Sequence, residues 1–361
     1  MPPSPALLAA VVSATLACLA SVASGQSQAA TDPVAFISLS IPGTGGTATN
    51  AISFKALGVL QPVSYQGSAD TVNIQARTLT DTAATWNDND FNGAQGAHYV
   101  EIIRPAGVTA PVPGEGTTYD IAATDKISKT LTLVQPLDAT IVSGALFRIR
   151  KHWTIGMIFG ANNSAGFLGS GSSSTADQIQ IWNGTSFTLY FFQIDPSGDQ
   201  SLGGTGWRAQ TSNSADASTT VIYPDDGLVF RLLQDGPVNI SLLGAVKTGP
   251  SSFPISAGFN ILANVYSAPM TLTSSGLQTS GFSGAASPSE SDQILLWNGT
   301  GYDTYFYQLA APALGGTGWR SATDTYADAG STAIPAGAAV VVRRVQGSPF
   351  NWIVPQHPAA L

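Results

Sequence analysis

The heptapeptide Leu-Gly-Gly-Thr-Gly-Trp-Arg occurs at residues 202–208 and again at residues 314–320. Trp207 with Arg208, and Trp319 with Arg320, could bind a sugar, the indole stacking on a ring face and the guanidinium forming paired hydrogen bonds. Each copy also supplies a carboxylate to complete such a groove, Asp177 in the first and Asp292 in the second. The repeated polar set is Asp177, Arg208, Asp216 and Arg231, mirrored by Asp292, Arg320, Asp328 and Arg343. The competing reading makes these residues framework, with Asp/Arg pairs fixing loops over a sheet and Trp inside the core. Recurrence of the whole set in a charge-poor chain favours framework.

A second candidate is Asp88-Asn89-Asp90-Phe91-Asn92-Gly93, which copies the opening of an EF-hand loop. Asp88, Asp90 and Asn92 stand where calcium ligands one, three and five would be, with glycine at six. Position twelve is Tyr99 where a bidentate Glu belongs, and Glu101 is displaced by two. A partial calcium site therefore competes with a polar β-turn. His98, His152 and His357 show no spacing that would pair them on a metal. No phosphate loop, dinucleotide fingerprint or nucleophile elbow is present, and no acid or histidine pair stands apart from the framework.

The elements that must carry these residues are strands. Residues 177–193 and 292–308 match at 10 of 17 positions, and both contain Trp-Asn-Gly between alternating runs. Asn-Gly between strands predicts hairpins, here with type I′ turns. The Asn-Gly-Thr triplets also match glycosylation sequons, but the turn explains them without a glycan. The returning strands carry aromatics on both faces (Phe187, Phe191 against Tyr190, Phe192), which predicts burial on two sides, the alternative being an exposed aromatic patch. Gly206 and Gly318 predict a bulge or tight bend before each Trp.

The chain has 361 residues, 38 of them Gly, with 43% apolar and only 10% charged residues. That length and apolar content allow two or three domains, each with a core. The composition suits short strands joined by many turns. A net charge of −8 with 14 basic residues excludes a phosphate-binding footprint, so no nucleic-acid partner is expected.

Residues 6–23 are uncharged and apolar or small, and Ala23-Ser24-Gly25 follows as a small-x-small cleavage pattern. A secretory signal peptide over residues 1–25 is expected, then a linker at 26–31. No Lys or Arg precedes Lys55, so the start codon is open to question. An uncleaved anchor and lipidation of Cys18 are the alternatives. Cys18 is the one cysteine, so the mature part uses no disulfide. No transmembrane span is expected after signal removal.

With these residues in view, the chain resembles a paralogous family of exported proteins of unknown function from Verrucomicrobia and related bacteria. The motifs that carry the resemblance are Asp32-Pro33-Val34, the His98 to Glu101 strand, Phe147-Arg148-Ile149-Arg150-Lys151-His152-Trp153-Thr154, Phe159-Gly160, the Asp177 and Asp292 strands, and both Gly-Trp-Arg segments. A weaker likeness to a β module of Bacteroidetes surface proteins rests on residues 258–266, Trp297-Asn298-Gly299 and Ile334-Pro335-Ala336-Gly337. There Phe259 stands in place of the module's Trp and Val265 in place of its Pro. The resemblances imply a bacterial exported β protein and supply no catalytic residue.

The expected architecture is all-β: an N-terminal β-barrel or sandwich-like domain (residues 32–151) followed by two tandem repeated β modules (152–247 and 248–361). The expected function is a non-catalytic structural or interaction protein, exported to the cell surface, periplasm or extracellular space. Self-association, other envelope proteins and surface glycans are the expected partners. A carbohydrate-binding protein is the alternative, and a secreted polysaccharide-active enzyme the third.

Overall fold

The computed structural model describes residues 33–93, 96–195, 203–212, 214–309 and 312–355. The expected signal peptide, Cys18, the linker and His357 lie outside the described residues. The structure is nearly all β, with 42% strand and 5% helix. No helix among the described residues is long and apolar enough to cross a membrane.

In chain order the strands are β1 (Val34–Ile41) and β2 (Ala51–Lys55), then β3 (Val63–Ser68), β4 (Thr71–Asn73), β5 (Thr78–Thr80), β6 (His98–Ile103), β7 (Thr118–Asp125), β8 (Thr130–Leu133) and β9 (Leu146–Lys151). Next come β10 (Trp153–Thr154), helix α1 (Ile155–Phe159), β11 (Gln178–Trp182), β12 (Phe187–Gln193), β13 (Gly206–Ala209), β14 (Val221–Ile222), β15 (Leu228–Leu232) and β16 (Val238–Ala245). The chain ends with β17 (Ser251–Ile255), β18 (Gly258–Ala263), β19 (Met270–Thr271), helix α2 (Leu277–Ser280), β20 (Gln293–Trp297), β21 (Tyr302–Gln308), β22 (Gly318–Ser321), β23 (Ala333–Ile334), β24 (Ala339–Arg344) and β25 (Phe350–Val354).

Strands β3 to β9 form a seven-stranded antiparallel sheet in the order β3-β9-β6-β7-β8-β5-β4. Its edges β3 and β4 do not pair, so among the described residues it does not close into a barrel. A register shift marks β7 between Ile121 and Ala123, and Val100, Ile121, Leu131, Phe147 and Ile149 pack in the sheet's core.

The two remaining large sheets have one strand order: β13-β12-β11-β15-β2 and β22-β21-β20-β24-β18. The smaller ladders match as well, with β1-β16 against β17-β25 and β10-β14 against β19-β23. Residues 34–55 therefore complete the first matching sheet, although their position in the chain groups them with residues 32–151. Leu39 pairs with Ile240 and Phe54 with Val229, and the seven-stranded sheet lies in the chain between β2 and β10. A strand's partner is set by which apolar face it can cover, and sequence proximity does not reveal it over nearly 200 residues.

The two cores match in kind. Leu39, Ile41, Leu228, Phe230, Ile240 and Trp207 fill the first, and Ile255, Val340, Val342, Trp319 and Trp352 the second. A smaller cluster joins the outer faces of the two sheets: Val229, Ile261 and Val341, flanked by Ile52, Phe54, Trp182 and Phe187. This contact accounts for the aromatics on both faces of β12. Phe191 and Phe192 are buried, whereas Phe187 and Tyr190 are half-buried.

Both Asn-Gly segments make hairpins, but not with the expected type I′ turn. Trp182 pairs with Phe187 and Trp297 with Tyr302, so each loop runs over four residues. The Asn183 side-chain oxygen accepts from the Thr185 and Ser186 amides at 3.0 and 2.9 Å, and Asn298 does the same for Thr300 and Gly301 at 3.1 and 2.9 Å. Only the glycines take positive φ, 97° at Gly184 and 103° at Gly299. The asparagine acts through its side chain, as an Asx turn.

Candidate functional site

Each Gly-Trp-Arg corner sits where β12 meets β13, or β21 meets β22. Trp207 is 0% and Trp319 3% exposed. Trp207 packs among Phe159, Phe167 and Phe192 at ring separations of 6.0, 5.8 and 5.5 Å, and its indole nitrogen donates to the Gly160 carbonyl at 2.7 Å. Trp319 packs on Phe282 and Tyr307 at 5.2 and 5.4 Å. Neither ring presents an open face on which a sugar could stack.

The arginines turn back onto the chain that precedes them. Arg208 donates to the carbonyls of Trp207 (2.8 Å), Gly203 and Gly204 (3.1 Å). Arg320 donates to those of Trp319 (2.8 Å), Gly315 and Gly316 (3.2 Å). Gln193 and Gln308 reinforce the same loops by donating to the Gly204 and Gly316 carbonyls at 3.0 and 2.9 Å. Each corner favours glycine, because φ is 155° at Gly206 and 149° at Gly318 and a Cβ there would crowd the guanidinium at 3.0 or 3.1 Å. Asp216 and Asp328 approach the arginines at 3.7 and 3.2 Å but are largely exposed, and such pairs add little stability.

Asp177 and Asp292 do not pair with Arg208 and Arg320. Asp177 accepts from the amides of Leu168 and Leu233 at 2.8 and 2.6 Å. Asp292 accepts from those of Ser283 and Val345 at 2.8 and 2.7 Å, and also holds Arg344. The carboxylate thus ties the loop before β11 or β20 to the end of β15 or β24. Arg343, expected in this set, instead donates to Gln293 at 3.3 Å. The charged partner of Asp292 is the next residue along.

The side chains of the EF-hand-like segment are engaged with the backbone. Asp88 accepts from the Lys126 amide and Asp90 from the Asn87 amide, at 2.7 and 2.6 Å. Asn92 donates to the Ala122 carbonyl at 2.7 Å, while Glu101 points into a separate buried network. Among the described residues, no three His, Cys, Asp or Glu side chains gather in a metal-holding group.

Two polar clusters escape a reading by motif, since their members are distant in the chain. In the first, buried Glu101 of β6 binds Lys247, beyond β16, and Arg150 of β9 at 3.5 Å. Burial raises the carboxyl's pKa, but the two cations outweigh that and leave it below the ordinary range. In the second, the His152 Nε2 lies 2.8 Å from an Asp120 oxygen, between the rings of Tyr99 and Tyr223 at 4.7 and 5.0 Å. Tyr223 begins the turn Tyr223-Pro224-Asp225-Asp226. Burial and then the neighbouring Asp225 push Asp226 up to about 8, and burial with nearby acids pushes Tyr223 up to about 12. The sequence signal for this cluster is the adjacent Asp225-Asp226 pair after a Pro turn. These clusters join the seven-stranded sheet to the matching sheets, and His152 is only 2% exposed, so the arrangement braces the junction.

No family model matches the chain, and neither a curated protein nor a solved structure matches it.

Proposed function

We propose that this chain is an exported, non-catalytic structural or interaction protein of the bacterial cell envelope or extracellular space, built around a duplicated β module. One observation carries the reading: the recurring residues offered for a groove, Asp177, Arg208, Asp292 and Arg320, bind chiefly the protein's own backbone. Arg208 and Arg320 hold glycine carbonyls, while Asp177 and Asp292 hold amides, and Trp207 and Trp319 are core residues. A catalytic constellation needs reactive groups converging on space that a substrate can enter. Here the recurring groups converge on chain. The apolar leader at residues 6–23 and the resemblance to exported proteins support secretion.

Two measurements test this. Mass spectrometry of the protein recovered from cell fractions should find a mature form beginning near Gln26, outside the cytoplasm. Purified protein should show no hydrolase or oxidoreductase turnover, and a robust activity abolished by a single substitution would overturn the reading.

A further inference from the structure

One difference between the two matching halves opens a cleft. Strands β2 and β18 are equivalent edge strands, and each is bridged by the loop that precedes the fourth strand of the other sheet. Asp226 bridges to Leu262 in one direction, and Ala338 to Lys55 in the other. At the first bridge the loop is Pro224-Asp225-Asp226-Gly227, but at the second it is Pro335-Ala336-Gly337-Ala338, of equal length with smaller side chains, and a lysine faces it. The connection between β17 and β18 is residues 256–257 alone, whereas that between β1 and β2 is the loop of residues 42–50. Small residues on one side and an added loop on the other flank a cleft of about 620 Å³ that is partly open to solvent. That volume falls within the range of small-molecule sites.

The added loop is a fixed wall. The Thr44 amide donates to the Gln234 carbonyl at 3.0 Å, and the Thr44 hydroxyl to the Asp235 carboxylate at 2.6 Å. Inside, Trp297 and Phe54 supply aromatic surface, their rings 5.5 Å apart, and Asn50 and Thr300 supply polar groups. Lys55 is half-buried and lines the same space. It has no hydrogen-bond or ionic partner among the described residues, although the chain carries a net charge of −8. A half-buried ammonium without a counter-charge is unfavourable until an anion reaches it.

We infer that this cavity binds a carboxylated saccharide, a uronic-acid sugar whose carboxylate meets Lys55 while its ring lies against Trp297. The inference deepens the interaction reading above and rests on it. One cation selects one carboxylate, aromatic walls suit the C–H face of a pyranose ring, and Asn50 and Thr300 offer partners for its hydroxyls.

The test is calorimetric titration of the full chain with digalacturonate, using neutral digalactose and triglutamate as comparators. Binding of digalacturonate alone is expected, weakened about tenfold or more by Lys55→Gln as a charged hydrogen bond is lost. Lys55→Arg should retain it. Ala338→Leu, which fills the space beside Lys55 while keeping its ammonium, should abolish it. Equal binding of digalactose, indifference to both Lys55→Gln and Ala338→Leu, or preference for triglutamate would each overturn the inference. No binding and no turnover defeats the site while leaving the non-catalytic reading intact. Cleavage of digalacturonate would instead defeat that reading.

Discussion

Arg208 and Gly204 are joined by a guanidinium-to-carbonyl hydrogen bond of 3.1 Å, and Arg320 and Gly316 repeat it at 3.2 Å. A charged side chain in a charge-poor protein is spent on closing a glycine loop beside a buried Trp.

Replacing either arginine should therefore cost stability. Arg208→Lys cannot span the Gly203, Gly204 and Trp207 carbonyls together, and leaving such acceptors unpaired costs about 1–3 kcal/mol. A lower urea midpoint is expected for Arg208→Lys and for Arg320→Lys. Unchanged midpoints would mean that water replaces the bonds and that the arginines are kept for another purpose.

The Glu101 network should be more sensitive. Glu101→Gln deprives buried Lys247 and Arg150 of a shared carboxylate, and breaking a buried ion pair on one side costs about 3–5 kcal/mol. Denaturation should show this loss, and Lys247→Met combined with Glu101→Gln should recover part of it.

Asp226 sets a pH dependence. Its folded-state pKa, pushed up to about 8, stands above the ordinary 3.8, so the folded form holds its proton more tightly than the unfolded form. Its contribution is fully present below the unfolded value and is lost as pH rises through about 8. Between those limits the melting temperature of the wild type should fall with rising pH more steeply than that of Asp226→Asn. Parallel curves would remove Asp226 as the cause.

Calcium should leave the protein unchanged. Asp88 and Asp90 already accept from backbone amides, and the bidentate Glu of a calcium loop is replaced by Tyr99. Thermal melts with and without millimolar calcium should superimpose, and a rise that Asp90→Asn removes would show that the segment rearranges around the ion.

Much of the fold was legible in particular residues. Period-two alternation around Asn183-Gly184 and Asn298-Gly299 marked both hairpins, because side-chain direction in a strand is a local property. The turn type was misjudged, since the Asn side chain bonds the loop amides in place of a two-residue turn. The sugar groove drawn from Trp207, Arg208 and Asp177 failed for a different reason. Adjacent residues on a strand face opposite ways, yet here both are buried, the Trp among aromatic rings and the Arg against backbone carbonyls, and no spacing says that both faces are covered.

What the amino-acid order determined by itself is the alternation, the glycine corners and the recurrence of one strand pattern at residues 177–193 and 292–308. What only the tertiary structure decided is that β1 and β2 complete the first matching sheet, that Glu101 meets Lys247, and that Lys55 is left facing a cavity. Local preference acts between neighbours in the chain, whereas these pairings arise when separate sheets compete to cover each other's apolar faces, and the outcome depends on all of them at once.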